Sequence, residues 1–151
     1  MRWLALCVLD RSGEKSPFVH RDVIPTCSGV ESGDVYTCGW NNSGQLGQTG
    51  EALSDPSTRG IPTLVDFHEL EDENGDEIDT IVRVAAGTRH TACISQGGRC
   101  WAWGWNKFGQ VAATDPRVEI GTPLLFTPGE NVNEAVSLWA GPWATLVLMK
   151  I

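Results

Sequence analysis

The chain has 151 residues, seven tryptophans, 17 glycines and a formal net charge of −8 at pH 7. This length suits one ordinary domain, and the glycine content favours many turns over long helices. The acidic balance and the lack of a dense Lys/Arg cluster exclude nucleic acid as the main partner, because affinity for a phosphate backbone rests on such clusters. A basic protein surface matches the charge better.

The first 27 residues stand apart because they match none of the repeated motifs found further along the chain. Their short apolar start ends at Asp10 and is followed by no cleavage site typical of a secretion signal. No segment approaches the ~20 apolar residues of a membrane span. We therefore predict residues 1–27 to be an irregular leader of unknown structure, with residues 1–20 unpacked, and residues 28–151 to be a unit made of repeats.

The cysteines are five in number, and none forms a Cys-x-x-Cys pair. A zinc site needs closely spaced ligands, and a disulfide framework usually uses an even set. We therefore predict reduced thiols in an intracellular protein, nuclear or cytoplasmic. The cysteines are Cys7, Cys27, Cys38, Cys93 and Cys100.

A repeated motif begins at residue 34. Residues 34–47 align without a gap with residues 99–112, and both copies contain Gly-Trp-Asn followed two residues later by Gly-Gln. Glycine permits backbone conformations closed to other residues, tryptophan fills space between neighbouring sheets, and asparagine caps a turn through its side chain. We predict a mainly structural role for Gly39, Trp40, Asn41, Gly44, Gln45, Gly104, Trp105, Asn106, Gly109 and Gln110.

An acidic segment follows, since residues 69–79 hold seven Asp or Glu and no Lys or Arg. Its Asp-x-Asn-x-Asp start does not continue as a calcium loop, because Glu77 and Arg83 stand where that loop needs Gly and Glu. We predict a solvated loop between strands, extended by its own charge repulsion and open to a basic partner. Candidate contacts for such a partner are Glu71, Asp72 and Glu73.

Four short strands are predicted from residue 81 onwards. Ile81–Ala86 is predicted as an alternating strand that stops at Gly87, and His90–Ser95 and Arg99–Trp103 flank a Gly-Gly pair typical of a tight hairpin. The fourth strand is Pro123–Phe126, with proline at the first residue, where a sheet tolerates it.

A second repeated element fixes the fold class. Residues 82–91 align with residues 136–145, and four antiparallel strands per repeat are the unit of a propeller blade. No window shows the apolar spacing of a helix. We predict an all-β fold, a partial β-propeller of about two to three blades of four antiparallel strands, behind the irregular leader.

The residues near His90 bear on catalysis. Gly87 ends the first of these strands, and His90 precedes a threonine, but no nucleophile and carboxylate accompany them in a recognisable pattern. We predict that His90 bridges strands within its blade. We predict no catalytic, cofactor-binding or metal-binding residues, and no enzyme activity.

Three tryptophans alternate along one strand, so Trp101, Trp103 and Trp105 face the same side of the sheet. We predict core packing, with Trp101 or Trp105 partly exposed as a contact. Trp139 and Trp143 are predicted to line the face of the last blade, where they are also candidate partner contacts.

The combined motif resembles a repeat of the regulator of chromosome condensation family. It runs from Val-x-Val-x-x-Gly-x-x-His-Thr at residues 82–91 to Gly-Trp-Asn-x-x-Gly-Gln at residues 104–110, and the resemblance covers about residues 28–149. That family folds as a seven-bladed propeller, so two legible hairpins imply an incomplete, truncated one. Within the family, the doubled motif is most similar to the C-terminal repeats of animal single-propeller, condensation-domain-containing members.

The resemblance implies a non-catalytic protein-interaction module, a chromatin- or chromosome-associated adaptor of the nucleus. The partners it implies are a JmjC-type histone-modifying oxygenase or histones, without cofactors, direct nucleic-acid contact or membrane. One alternative is guanine nucleotide exchange on a small nuclear GTPase, although the loop wedge it needs is not recognisable. Another is a non-functional fragment whose open blade faces self-associate. Plant ultraviolet photoreceptors of this family carry Trp where this chain has Thr88, which argues against photoreception.

Overall fold

The computed structural model describes residues 4–8, 34–48, 58–65, 67, 80–111, 119–126 and 134–150. The described residues form nine strands and no helix, in agreement with the predicted all-β class. The strands are β1 (Leu4–Val8), β2 (Val35–Trp40), β3 (Thr58–Leu64), β4 (Ile81–Ala86), β5 (His90–Ser95), β6 (Cys100–Trp105), β7 (Glu119–Phe126), β8 (Glu134–Ala140) and β9 (Thr145–Lys150).

The strands form three antiparallel sheets in chain order. The first sheet has the order β1-β2-β3, the middle sheet β4-β5-β6-β7, and the last sheet β8-β9. Each strand pairs only with its sequence neighbours, which is the up-and-down arrangement of a propeller blade. Among the described residues, the middle sheet has the four strands of a complete blade, and the first and last sheets have three and two.

The predicted hairpin between β5 and β6 is confirmed. His90 pairs with Gly104 at one end and Ile94 with Cys100 at the other, and the amide of Ser95 donates to the carbonyl of Arg99 at 3.0 Å. The turn between them is tight because Gly98 takes a φ of 79°, a left-handed conformation that favours glycine.

The position of Pro123 differs from the prediction. β7 begins at Glu119, so Pro123 lies inside the strand and not at its first residue. The pairing of β6 with β7 shifts register between Ala102 and Gly104, opposite this part of β7. β7 is also the outer strand of its sheet. A proline is tolerated there because an outer strand needs backbone hydrogen bonds on one side only.

The N-terminal strand corrects another prediction. Residues 1–20 were expected to be unpacked, but β1 pairs along its whole length with β2, from Leu4 opposite Gly39 to Val8 opposite Val35. An apolar stretch supplies the outer strand of the first sheet. The division into a leader at residues 1–27 and repeats at residues 28–151 stays a prediction.

Two apolar clusters lie on opposite faces of the middle sheet. The first joins it to the first sheet and contains Val35, Val65, Phe67, Ile81, Val84, Cys93, Trp101 and Trp103. The second joins it to the last sheet and contains Ala85, Ala92, Ile94, Cys100, Ala102, Val111, Ile120, Ala135 and Leu138. Each sheet therefore buries a face against the next, as propeller blades do.

Candidate functional site

The two Gly-Trp-Asn turns have the same hydrogen-bond skeleton. In the first, the side-chain Oδ1 of Asn41 accepts from the amide of Leu46 at 2.9 Å. In the second, Oδ1 of Asn106 accepts from the amide of Val111 at 3.2 Å. Both asparagines are buried, so the capping role predicted for them is confirmed.

The glutamine of each turn makes a matching pair of contacts. Oε1 of Gln45 accepts from the amide of Ser43 at 2.9 Å, and Oε1 of Gln110 accepts from the amide of Phe108, also at 2.9 Å. Both glutamines are buried. The side-chain oxygen of each glutamine therefore fixes its turn.

The glycines before the two tryptophans adopt matching conformations, as the aligned motif predicts. Gly39 has a φ of 116° and Gly104 a φ of 106°. A Cβ on Gly104 would also meet the backbone of Arg89 and His90. Only glycine satisfies both the conformation and the close approach of these chains.

The turns also connect one sheet to the next. The carbonyl of Gln45 accepts from the hydroxyl of Thr91 at 2.8 Å and from the indole Nε1 of Trp103 at 3.0 Å, both in the middle sheet. The carbonyl of Gln110 accepts from the hydroxyl of Thr145 in the last sheet, again at 2.8 Å. Thr91 and Thr145 are equivalent in the repeat alignment, so the same bond joins both pairs of sheets.

His90 also contributes to the connection with the next sheet, while its backbone pairs with Gly104 within its own sheet. It makes a hydrogen bond to the backbone of Ala144, the equivalent residue of the next repeat. The local turns also match, because the amide of Gly87 donates to the carbonyl of His90 at 2.9 Å and that of Gly141 to Ala144 at 2.8 Å. Burial lowers the pKa of His90, and the bond to Ala144 only partly offsets this.

A group of aromatic rings lies on the surface between the middle and last sheets. The ring of Trp105 packs edge-to-face against Phe108 at 5.3 Å and against Trp143 at 5.5 Å between centroids. The guanidinium carbon of Arg89 lies 5.6 Å from the centroid of the Trp105 ring. We name these four residues, Arg89, Trp105, Phe108 and Trp143, the aromatic seam.

The outer rings of the aromatic seam are open to solvent. Phe108 is 69% exposed and Trp143 is 55% exposed, while Trp105 is half-buried between them. Large exposed aromatics beside an arginine are typical of protein-interaction hot spots. Trp105 and Trp143 are two of the predicted partner contacts, and the structure brings them together.

Two members of the aromatic seam were missed by the sequence analysis. Phe108 aligns with Ser43 of the first turn, and Arg89 aligns with Trp143 of the next repeat. Neither residue is shared between the repeats, and the shared residues were the ones singled out. The signal that could have found them is the difference between copies, a phenylalanine standing where the other turn needs only a serine.

The remaining predicted contacts have three different outcomes. Trp101 is 1% exposed and packs against Phe67 at 5.8 Å, so the expectation that it contacts a partner is wrong. Trp139 is exposed on β8, outside the aromatic seam. The acidic candidates Glu71, Asp72 and Glu73 lie outside the described residues.

The thiols of Cys93 and Cys100 are unsuited to nucleophilic chemistry. Cys38, Cys93 and Cys100 are free of disulfides. Burial raises the pKa of Cys93 well above its ordinary value and that of Cys100 to about 11. Both therefore stay protonated at neutral pH, whereas the thiolate is the reactive form.

Two further observations concern metal binding and membrane-spanning helices in the described ranges. These ranges hold no group of three or more His, Cys, Asp or Glu side chains placed to bind a metal ion. They also hold no helix that is long and apolar enough to cross a membrane.

Known proteins with the same repeats were found by sequence. Two profiles of the Regulator of chromosome condensation (RCC1) repeat match residues 32–94 and residues 81–110, which together make up more than half of the chain. The Ultraviolet-B receptor UVR8 of Arabidopsis thaliana is 36% identical over 104 residues, covering 69% of this chain and 21% of the receptor. The mouse RCC1 domain-containing protein 1 is 28% identical over 148 residues, covering 78% of this chain and 37% of that protein.

Solved structures show the same fold. Human WBSCR16 superposes with a TM-score of 0.63 at 20% sequence identity, over 89% of this chain and 32% of that one. Prp20p of Saccharomyces cerevisiae superposes with a TM-score of 0.61 at 17% identity, over 89% of this chain and 33% of that one. The chain thus spans less than half the length of these relatives.

Proposed function

Because the chain belongs to the regulator of chromosome condensation repeat family and forms part of its β-propeller, we propose that it is a non-catalytic module that binds another protein. Family membership by itself fixes the fold and not the ligand. The proposal therefore rests on what the side chains of the repeats do and on which surface they leave open.

The aromatic seam is the observation that carries the proposal. The polar side chains shared by the repeats hold turns and connect sheets, as Asn106, Gln45 and Thr91 do. The seam residues Phe108 and Trp143 instead expose large rings that the turn skeleton does not use. Exposed aromatic groups of this kind supply the binding energy of protein interfaces.

The finer proposal is a nuclear, chromatin-associated adaptor. The structurally similar yeast protein Prp20p binds Gsp1p and histones. The acidic segment at residues 69–79 of this chain has the charge that attracts basic proteins. We propose histones as partners, with Glu71, Asp72 and Glu73 as contacts. A JmjC-type oxygenase, implied by the family resemblance of the repeats, is the second partner to test.

A binding assay with purified proteins tests this function. The full chain is immobilised, and core histones or a JmjC-type oxygenase are passed over it at low and at high salt. We expect one of them to bind, and a histone to bind less at high salt because screening weakens contacts between exposed charges. A chain that melts cooperatively yet binds neither protein would contradict the proposal.

Nucleotide exchange is the second candidate function. The X-linked retinitis pigmentosa GTPase regulator of mouse is 30% identical over 106 residues, which makes a small GTPase a reasonable substrate to test. The assay follows release of a labelled GDP from a small nuclear GTPase with and without the chain. We expect no acceleration, and an accelerated release would replace the adaptor proposal.

A further inference from the structure

Charge is divided unevenly between the described sheets and the rest of the chain. The described residues hold six basic and three acidic side chains, a net charge of +3, whereas the whole chain has −8. The remaining residues therefore carry −11. The described charges are Arg59, Arg83, Arg89, Arg99, Lys107, Lys150, Asp34, Glu119 and Glu134.

Two of the six basic residues lie at the aromatic seam. Arg89 belongs to it, and Lys107 is exposed and directly precedes Phe108. One acidic residue is near, because Glu119 is the β7 partner of Trp105. Among the described residues at the seam, positive charge outnumbers negative charge, with Arg89 and Lys107 against Glu119.

The turn beneath the seam differs from its counterpart because no described residue contacts it at Gly109. In the first turn, a Cβ on Gly44 would lie 2.6 Å from the Cα of Gly121, so β7 lies across that turn. In the second turn, no described atom lies within 4 Å of a Cβ on Gly109. The second turn has the same skeleton and leaves room for another chain.

We propose that the aromatic seam docks an acidic segment of a partner protein. Apolar side chains of the segment pack against the open rings of Phe108 and Trp143, and its carboxylates face Arg89 and Lys107. This inference deepens the proposed function and rests on it, since it assigns a surface and a chemistry to the binding. A histone would use the acidic segment of this chain, and the acidic partner segment would use the aromatic seam.

Single-stranded nucleic acid is the other ligand that combines aromatic stacking with positive charge. It needs a basic groove that follows the phosphate backbone over several nucleotides. Among the described residues the seam offers two basic side chains, Arg89 and Lys107, and Glu119 pairs with Trp105. Two charges do not make such a groove, so the acidic protein segment fits better. An oligonucleotide remains one arm of the test.

The test is a peptide selection on the full chain. A phage library of short random peptides is selected on the wild-type chain, with removal of every phage that also binds the Phe108→Ala/Trp143→Ala double variant. We expect the surviving peptides to pair Asp or Glu with apolar residues. Basic or neutral survivors, or none that distinguish the two chains, would overturn the proposal.

Affinity measurements on a surviving peptide separate charge from packing. We expect Lys107→Glu to weaken binding about tenfold, and the double variant to weaken it at least as much. Val82→Ala shortens an exposed apolar side chain on β4, outside the seam, and should leave binding unchanged. Equal loss with all three variants, or tighter binding of an oligo(dT) strand than of the peptide, would contradict an acidic protein ligand at this surface.

The fold of each variant is checked by its thermal melt, so that loss of binding is not loss of structure. A negative result in the peptide selection does not contradict histone binding by the acidic segment. A negative result with histones does not contradict binding at the aromatic seam. The two proposals can therefore fail independently.

Discussion

The hydroxyl of Thr91 donates a 2.8 Å hydrogen bond to the main-chain carbonyl of Gln45, in the turn of the preceding repeat. Both residues are fully buried. The bond joins two sheets at a point where water cannot replace it, so its loss leaves a buried acceptor with one partner fewer. Thr145 and Gln110 repeat the relationship between the next two sheets, where Thr145 is only half-buried.

Replacing these threonines by valine keeps their shape and removes the hydroxyl. We expect Thr91→Val to lower the free energy of unfolding by roughly 1–2 kcal/mol, and Thr145→Val to lower it by less, since water can reach that site. Urea titrations followed by far-ultraviolet circular dichroism measure both. Thr122→Val on the exposed side of β7 is the control, and a loss equal to that of Thr91→Val would contradict the assignment.

The two turn glycines offer a matched pair of substitutions. Gly44 and Gly109 have nearly the same φ, 72° and 77°, so alanine costs each the same backbone strain, about 1–2 kcal/mol. Only the methyl group of Gly44→Ala would collide with β7, at Gly121, which raises its expected cost to roughly 2–4 kcal/mol. Chemical denaturation compares the two. Equal losses would show that β7 does not lie against the first turn.

Two tryptophans of one strand should differ in their contribution to stability. Trp103 is fully buried and donates to Gln45, so Trp103→Ala should cost roughly 3–5 kcal/mol. Trp105 is half-buried, so we expect Trp105→Ala to cost about 1–2 kcal/mol. Thermal and urea melts of both variants provide the measurement. A larger loss at Trp105 would make that ring part of the core and not of a contact surface.

The stability of the chain should depend on pH through His90. Burial lowers the pKa of His90 from its usual 6.5, so below pH 6.5 the unfolded chain binds a proton that the folded chain does not. The stabilisation is therefore complete above pH 6.5 and is lost as the pH falls toward the lowered value. Melting temperatures across this range, compared with those of His90→Gln, isolate the effect. If lowering the pH reduces the melting temperature of the parent chain no more than that of His90→Gln, the assignment of the pH dependence to His90 is wrong.

The last sheet exposes an apolar face that should drive self-association. Trp139, Leu146 and Leu148 are 43%, 66% and 53% exposed, and such a patch favours contact with a second molecule. Light scattering should show species heavier than the 16.4 kDa monomer. Leu146→Lys should reduce them, whereas Val82→Lys, at an exposed site on β4, should not. A monodisperse monomer of the parent chain would refute the prediction.

Much of the fold was predictable because its determinants are local. The Gly-Gly hairpin, the strands at Ile81–Ala86 and His90–Ser95, and the matching conformations of Gly39 and Gly104 follow from turn chemistry and from exact repetition. The pairing of Leu4–Val8 with β2 was not predictable in this way. That strand lies outside the residues that the repeat profiles match, and a short apolar segment alone does not say which edge it joins.

The candidate site was harder to predict because it depends on contacts between distant residues. Three alternating tryptophans suggested that one of them is exposed, but not which one. Phe67, far away in sequence, covers Trp101 and Trp103, and Trp105 is left to the surface. The aromatic seam forms only when residues from two repeats meet, so the fold had to be known first.

Arg89 and Trp143 occupy the same place in successive repeats, and both touch the indole of Trp105. One is a cation and the other a neutral ring, yet the bonds that Thr91 and Thr145 make between the sheets use neither side chain. Substitution at these two positions can change the chemistry of the seam without removing the hydrogen bonds of Thr91 and Thr145 between the sheets. In the proposed mode of binding, each seam between blades is therefore a recognition surface whose side chains can be changed without changing the bonds that join the sheets.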